Sequence, residues 1–407
     1  MIREDAEWII QHAVDAVQPG RAVRNALQGQ VFPGKVILIS VGKAAWNMAK
    51  TACDCLGDQV HDGIVITKYG HSFGPIGMLR IREAGHPVPD EKGIQSSLEA
   101  MELVSGLCPE DTVVLLLSGG GSALFEVPLV SMEVLQSINS QLLARGADIV
   151  EINTVRKRLS AVKGGRFARH CAPARVFCVI LSDVIGDRVD MIASGPACPD
   201  SSTCAEAIAV AEKYALELSA QGKALLEQET PKALSNVTLT VSGSVGELCR
   251  AAAKAAGQRG YTPLLLTESL CCQAVQAGEY LAREARKHTG KTALIAGGET
   301  VVMLTGDGKG GRNQELALSA ARFLKGRKDT CLFSLASDGT DGPTDAAGGI
   351  VDGATAEKLA SLGIDIDDVL RRNDSYHALA QVDGLLFTGP TGTNVNDVAV
   401  VLIGSEA

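Results

Sequence analysis

Aromatic side chains make up only 4% of the 407 residues, and positive charge is never concentrated. The net charge is −9 and no Lys/Arg run is interleaved with aromatics, so nucleic acid is not an expected partner. Long apolar runs are missing too. "TVVLLL" has the length of a strand, far short of the ~20 residues that cross a bilayer, so no membrane association is expected. The 11 cysteines contain no CxxC, which removes a zinc ribbon and a thioredoxin motif. An odd cysteine number without a secretory signal implies reduced thiols in a cytoplasmic protein. The opening "MIREDAEWIIQHAVDAV" carries acids and is read as an amphipathic helix instead of a leader. The histidines form no HExxH and partner no GxSxG serine; His86, in "EAGHPVPDE", is read as a loop residue.

Glycine, by contrast, is abundant at 44 residues, and 46% of the chain is hydrophobic. Few aromatics, many glycines and this length suit an α/β protein of two domains. Four segments repeat one grammar of apolar run, glycine turn and helical stretch: "KVILISVGKAAWNMAKTACDCL", "DTVVLLLSGGGSALFEV", "RVFCVILSDVIGD" and "NVTLTVSGSVGELCRAAAKAAGQRGYTPLLLTE". Near-continuous apolar strands separated by helices imply parallel sheets covered on both faces, with ligands at the carboxyl ends of the strands. The polar stretch 220–236 separates two such series and is the expected junction, giving domains 1–235 and 236–407.

Each glycine turn carries candidate chemistry beside a plainer structural explanation. Lys43 follows a strand and opens a helix, where backbone N–H groups favour anions; a solvated lysine is the alternative. Ser118, Gly119, Gly120, Gly121 and Ser122 form a loop suited to cradling a phosphate or carboxylate, or a tight turn. "INTVRKRLSAVKGGR" is a solvated charged face or, at its Lys163 end, an anion site. Asp183, Asp187 and Asp190 follow a strand, as Mg²⁺ ligands or helix caps. Asp338, Asp341 and Asp345 repeat that pattern without the closing Glu of an EF-hand; Asp338 or Asp341 is placed to hold metal or accept a proton. "GGETV" and "TGDGKGGRNQE" bring together Glu299, Lys309, Gly310, Gly311, Arg312 and Asn313, the donors, cations and acid that a transferring phosphoryl group needs. Two patterns fail. "TGKT" has Ala285 where a Walker A needs glycine, and "VSGSVGE" has Val241 where a dinucleotide fingerprint needs one.

Taken in order, "SVGKAAWNMA", "GHPVPDE", "LLLSGGGSAL", "INTVRKRLSAVKGGR", "LSDVIGD", "IASGP", "GGETVV", "GGRNQELAL", "SDGTDGPTDAAGG" and "GPTGTNVND" resemble the MOFRL-type glycerate 2-kinases, a family earlier labelled hydroxypyruvate reductase. The resemblance covers nearly the whole chain. It implies phosphorylation of D-glycerate to 2-phosphoglycerate with ATP and Mg²⁺. It also implies a Rossmann-like α/β N-terminal domain with a parallel sheet, a distinct α/β C-terminal (MOFRL) domain, and an active site in the cleft between them. The family's lysine and arginine fall on Lys43 and Arg312, and its "GGE" and "SDG" positions on Glu299 and Asp338. On that basis glycerate is expected near Lys43 and the Ser118–Ser122 loop, with Arg312 and Lys309 on the phosphates. Mg²⁺ is expected on Asp338 or Glu299, and Asp183 or Asp341 would orient or deprotonate the 2-hydroxyl. A homodimer is compatible with this reading. Its rivals are an NAD(P)H-dependent hydroxypyruvate reductase, which needs a dinucleotide fingerprint, and a non-catalytic nucleotide sensor.

Overall fold

Strands buried on both faces set the architecture. All six residues of "VILISV" and of "TVVLLL" are buried, and runs of this kind need helical cover on each side. The computed structural model describes residues 2–182 and 189–404. The chain packs as two compact units: one is Pro19–Ser242, and the other joins the residues up to Gln18 with those from Gly243 onward. Among the described residues no helix is long and apolar enough to cross a membrane.

The first unit holds β1 (Val36–Val41), β2 (Val60–Lys68), β3 (Arg80–Ala84), β4 (Thr112–Leu117), β5 (Arg175–Ile180) and β6 (Val237–Val241). They lie in the order β3-β2-β1-β4-β5-β6 with every neighbouring pair parallel, the Rossmann-like arrangement expected. Val41 stands opposite both Ile66 and Leu117, and Leu117 opposite Ile180, so β1, β4 and β5 finish level while β2 runs on to Lys68. The order reverses between β1 and β4. Sheets of this kind leave a ligand crevice at that point, because the loops after the two strands depart in opposite directions.

Opening the second domain at residue 236 would separate β6 from β5, to which it pairs from Val237 to Val241. The polar stretch 220–236 instead folds inside the first unit, where Leu225 and Leu226 of the helix Ala220–Leu226 are buried. The helix Ile2–Ala16 belongs to the second unit. Its stripe of Ala6, Ile9, Ile10, Ala13 and Val14 is buried, packing on the helix Val245–Gln258. Each isoleucine so covered contributes on the order of 1.5–3 kcal/mol. Asp5 adds Tyr261 Oη and Arg259 Nε, each at 3.0 Å. The periodicity of that helix shows which face is apolar, but not that its partner lies far along the chain.

The second sheet holds β7 (Thr262–Leu270), β8 (Thr292–Gly298), β9 (Thr330–Ala336), β10 (Gly348–Asp352), β11 (Leu385–Leu386) and β12 (Asp397–Ile403), in the order β11-β10-β9-β12-β8-β7. Here the expectation of a parallel sheet fails: β7 and β8 are parallel, and every other pair is antiparallel. β12 enters between β8 and β9 from the end of the chain, antiparallel to both. An unbroken apolar run reports burial on two faces and says nothing about direction. The consequence is local. Asp397, first residue of β12, stands opposite Gly298 and Ala336, the last residues of β8 and β9.

Candidate active site

The first cluster gathers at the β1/β4 reversal. Gly42 has φ +124°, and a Cβ there would lie 2.2 Å from Ser118 Oγ, so only glycine lets the two loops meet. Lys43 N donates to Gly119 O at 2.9 Å, Ser118 N to Val41 O at 3.0 Å, and Ala44 N to Ser118 Oγ at 3.1 Å. Lys43 therefore leaves the stitched loops partly exposed. A Cβ on Gly120 would lie 3.0 Å from His86 Cδ2, 3.1 Å from His86 Nε2 and 3.3 Å from Lys43 Cγ. An imidazole and a lysine stem thus press on this glycine, which has φ +90°. Lys68 ends β2, and His71 Nδ1 lies 3.3 Å from Lys43 O.

Burial, then the charges of Lys43, Lys68 and His71, hold the His86 pKa below its ordinary value. The imidazole is neutral at neutral pH. Carboxylates of the same loops are engaged elsewhere. Glu83 Oε1 accepts from Gly70 N and Ser72 N at 3.1 Å each and from Ser72 Oγ at 2.7 Å. Asp90 accepts from Tyr69 Oη at 2.7 Å and Gly93 N at 2.9 Å. What remains is Lys43 and Lys68 with no carboxylate partner among the described residues, charge suited to a small anion.

The basic run beneath this loop does not form a solvated face. Lys157, Arg158 and Lys163 are buried. Lys157 Nζ pairs with Asp200 at 3.1 Å and Asp190 at 3.4 Å, and Arg158 Nη1 donates to Thr154 O at 2.8 Å and Ser202 Oγ at 3.0 Å. Lys163, expected on an anion, donates to Ser122 O and Phe125 O at 2.9 Å each and pairs with buried Glu126 at 3.4 Å. Desolvation pulls its pKa down to about 8 while Glu126 opposes the shift. With its donors spent inside the fold, Lys163 holds the glycine loop from below. Its partners lie far away in sequence, which spacing does not reveal. Asp183 and Asp187 lie outside the described residues.

The second cluster gathers where β8 and β9 end. Arg312 opens the helix Arg312–Leu324 and grips Asp397 as a fork, Nε to Oδ2 at 2.6 Å and Nη2 to Oδ1 at 2.9 Å. Its Nη1 lies 3.2 Å from Glu299 Oε1, and Glu299 Oε2 accepts from Asn396 Nδ2 at 3.1 Å. Burial works against the guanidinium charge, yet Asp397 and Glu299 outweigh it and hold the Arg312 pKa above its ordinary value. Burial pushes Asp397 up to about 6, with Arg312 opposing. Both partners are charged at neutral pH.

Asp341, a candidate proton acceptor, is buried at the start of the same helix. Its Oδ1 accepts from Asn313 N at 3.1 Å and Nδ2 at 3.3 Å, and its Oδ2 from Gln314 N at 2.9 Å. It works as a cap for that helix. Desolvation raises its pKa against those bonds. A Cβ on Gly311 would fall 2.3 Å from the Asp341 carboxyl carbon, so this glycine admits the cap. Asn313 is buried and its Oδ1 accepts from Ser334 Oγ of β9 at 2.6 Å. Asp338 Oδ1 accepts from Thr340 N at 2.9 Å and Oγ1 at 3.2 Å, leaving the carboxylate partly exposed.

The glycine loop before Arg312 is bare for a reason internal to the fold. Cβ atoms on Gly306, Gly308 and Gly310 would lie 2.5, 2.5 and 2.2 Å from Arg372 Cα, Arg372 O and Ser375 Oγ. The amides of Thr305 and Gly306 donate to Asn373 Oδ1 at 2.8 and 2.9 Å, Gly308 N to Arg372 O at 2.8 Å, and Lys309 N to Asp374 Oδ1 at 3.0 Å. These donors are spent within the protein. The Lys309 ammonium sits 4.2 Å from the Tyr376 ring centroid, a cation–π contact that aims it. Among the described residues no group of three or more His, Cys, Asp and Glu side chains is placed to hold a metal ion.

Sequence reading leaves out Lys68, His71 and Asp397 and gives His86 no part in the chemistry. Asp397 closes "GTNVND" at a strand start, and His86 stands in "GHPVPDE" just after β3. Position at a strand end is the available signal, and both meet it.

Residues 5–227 match the profile described as a domain of unknown function (DUF4147), and residues 292–397 match the MOFRL family. The chain is 53% identical over 404 residues to the D-glycerate 2-kinase of Thermotoga maritima, with 97% of each chain covered. It is 40% identical over 436 residues to the glycerate 2-kinase of Pyrococcus horikoshii, covering 100% of this chain and 98% of that one. The crystal structure of a glycerate kinase from Thermotoga maritima aligns with a TM-score of 0.95 at 52% identity, covering 98% of this chain and 99% of that one.

Proposed function

The chain belongs to the MOFRL-type glycerate 2-kinase family, and from that premise we propose that it transfers the terminal phosphoryl group of ATP to the 2-hydroxyl of D-glycerate. The observation that carries this reading is 53% identity over 404 residues to a D-glycerate 2-kinase, joined to Lys43 at the β1/β4 reversal and Lys68 at the end of β2. Glycerate is a small hydroxy acid. Lys43, Lys68 and His71, with the Ser118–Ser122 loop, suit its carboxylate and hydroxyls. Arg312 and Lys309 supply positive charge to the phosphates. Asp397 and Glu299 occupy some of the guanidinium donors and fix its plane, and the rest stay open to the moving phosphoryl oxygens. Asp341 acts through the helix that carries Arg312, and Lys163 through the loop it supports.

Mg²⁺ fits the carboxylates present. It binds one or two of them and otherwise takes phosphate oxygens and water, so it needs no all-protein cage. Glu299, whose side chain is 45% exposed, or Asp338 would hold it, and bound there it would neutralise phosphate charge. The eleven cysteines are free thiols, which suits work in the reducing cytoplasm. A reductase finds little here. β6 ends on Val241 in place of the first fingerprint glycine, and Glu268, at the ribose position, pairs with Arg250 at 3.3 Å.

Turnover with ATP, Mg²⁺ and D-glycerate, read through enolase without phosphoglycerate mutase, tests the proposal. Enolase accepts the 2-phosphate alone, so a direct signal is the expected result. A signal that requires added mutase would move transfer to the 3-hydroxyl. Silence in both assays from folded protein would refute the kinase.

A further inference from the structure

We propose that His86 accepts the proton of the attacking glycerate hydroxyl, a role that rests on the kinase reading above. Of the carboxylates first considered for this task, Asp183 lies outside the described residues, Asp341 is committed, and Asp338 is a candidate for Mg²⁺ above. Asp341 caps a helix with both oxygens, and Glu83 and Asp90 are held by their own loops. His86 differs from them. Among the described residues no hydrogen bond engages either ring nitrogen, and the ring stays partly exposed at the β1/β4 reversal.

The geometry is specific. Gly120 lets the imidazole and the Lys43 stem close in on the same point by presenting no side chain, with a virtual Cβ 3.1 Å from Nε2 and 3.3 Å from Lys43 Cγ. An anion held by Lys43 would therefore sit beside the ring. The charged and titratable groups facing His86 come from two segments, Lys43 after β1, and Lys68 at the end of β2 with His71 in the loop beyond it, while the β4 loop presents glycine. All of these are cations or imidazoles. Together with burial they keep the ring neutral, which a base requires, and they favour release of the proton to solvent after the reaction.

The step balances. The hydroxyl O–H bond breaks and its proton passes to an imidazole nitrogen of His86. The oxygen's electron pair forms the new O–P bond to the terminal phosphorus of ATP. The bond from that phosphorus to the bridging oxygen breaks, and its electrons leave with ADP.

The test is kinetic, on the full chain with ATP, Mg²⁺ and D-glycerate. His86→Gln keeps a polar side chain that cannot take the proton, and should lower kcat about 100-fold or more while the KM for ATP changes little. The acid limb of kcat/KM expected for the wild type, lying below the ordinary imidazole range because the His86 pKa is depressed, should weaken in that variant. In His86→Ala, added imidazole should restore part of the turnover, which a merely structural role would not allow. His86→Gln with kcat within about threefold of wild type and the same acid limb would overturn the proposal. If His86→Gln does not fold, absence of imidazole rescue in folded His86→Ala overturns it instead. A wild type inactive on glycerate would overturn this proposal and the kinase reading together, whereas an active wild type with an indifferent variant overturns this proposal alone.

Discussion

The two strand-end clusters both set cations beside glycine loops and solve opposite problems. At the β1/β4 reversal Lys43 and Lys68 meet no carboxylate partner among the described residues, while the nearby acids cap loops. At the ends of β8 and β9, Arg312 is held between Asp397 and Glu299 before any ligand arrives. Solvation explains the contrast. Lys43 and Lys68 stay partly wet, so an unmatched charge costs little there, and an incoming anion completes the pocket. Arg312 meets a buried carboxylate, where an unmatched charge is expensive and the pair must be made by the fold. One cluster waits for charge, and the other fixes the direction of a charge already matched.

Substitutions can break that contrast from either side. The largest effect is expected beneath the first cluster. Lys163→Met leaves Glu126 buried without its cation and should cost about 3–5 kcal/mol of unfolding free energy by urea denaturation. The double change Lys163→Met with Glu126→Gln should recover much of it. A single-variant loss under about 1 kcal/mol would mean the loop stands without this support.

Arg312→Ala should lower kcat by about 10²–10³, and Arg312→Lys should recover little, because an ammonium cannot make the fork. Near-wild-type turnover in the alanine variant would remove Arg312 from the chemistry.

The matched pair also predicts a pH dependence. Asp397 titrates at about 6 in the fold, above its ordinary carboxylate value, so the native state binds this proton more tightly than the open chain. Its contribution to stability is complete below the open-chain value and is lost as pH rises through 6. The stability of wild type relative to Asp397→Asn should therefore be roughly 1–2 kcal/mol greater at pH 5 than at pH 7.5. Equal differences at the two pH values would contradict the shift.

Gly120→Ala is the mildest intrusion. At φ +90° and 3.0 Å from the His86 ring, the methyl group should displace imidazole or lysine. Loss of about 1 kcal/mol of stability and roughly tenfold in kcat/KM for glycerate is expected. An unaffected KM and kcat would show that the ring has room to give.

Much of this was legible in the chain itself, and the reasons are local. An apolar run followed by glycines marks a strand end, so Lys43, Ser118–Ser122, Glu299, Arg312 and Asp338 all stood out before their positions were known. Ten ordered motifs pointed to the family. The apolar stripe of residues 6–14 revealed one buried face of the first helix.

Other features depend on partners that spacing cannot reach. Whether "RKR" is solvated or buried turns on Asp190 and Asp200, dozens of residues later. The glycines at 306, 308 and 310 invite a ligand by composition, and the fold fills them with Arg372 and Ser375. Asp341 reads as a base until the helix it caps arrives against it. Amino-acid order by itself determined which segments are strands, which turns carry charge and which family the motifs resemble, because those are properties of neighbours along the chain. Only tertiary structure decided that β12 enters between β8 and β9 to hand Asp397 to Arg312, and that His86 comes to rest on Gly120. Both are contacts between distant segments, the first set by the need to match a buried carboxylate and the second by the room a glycine leaves.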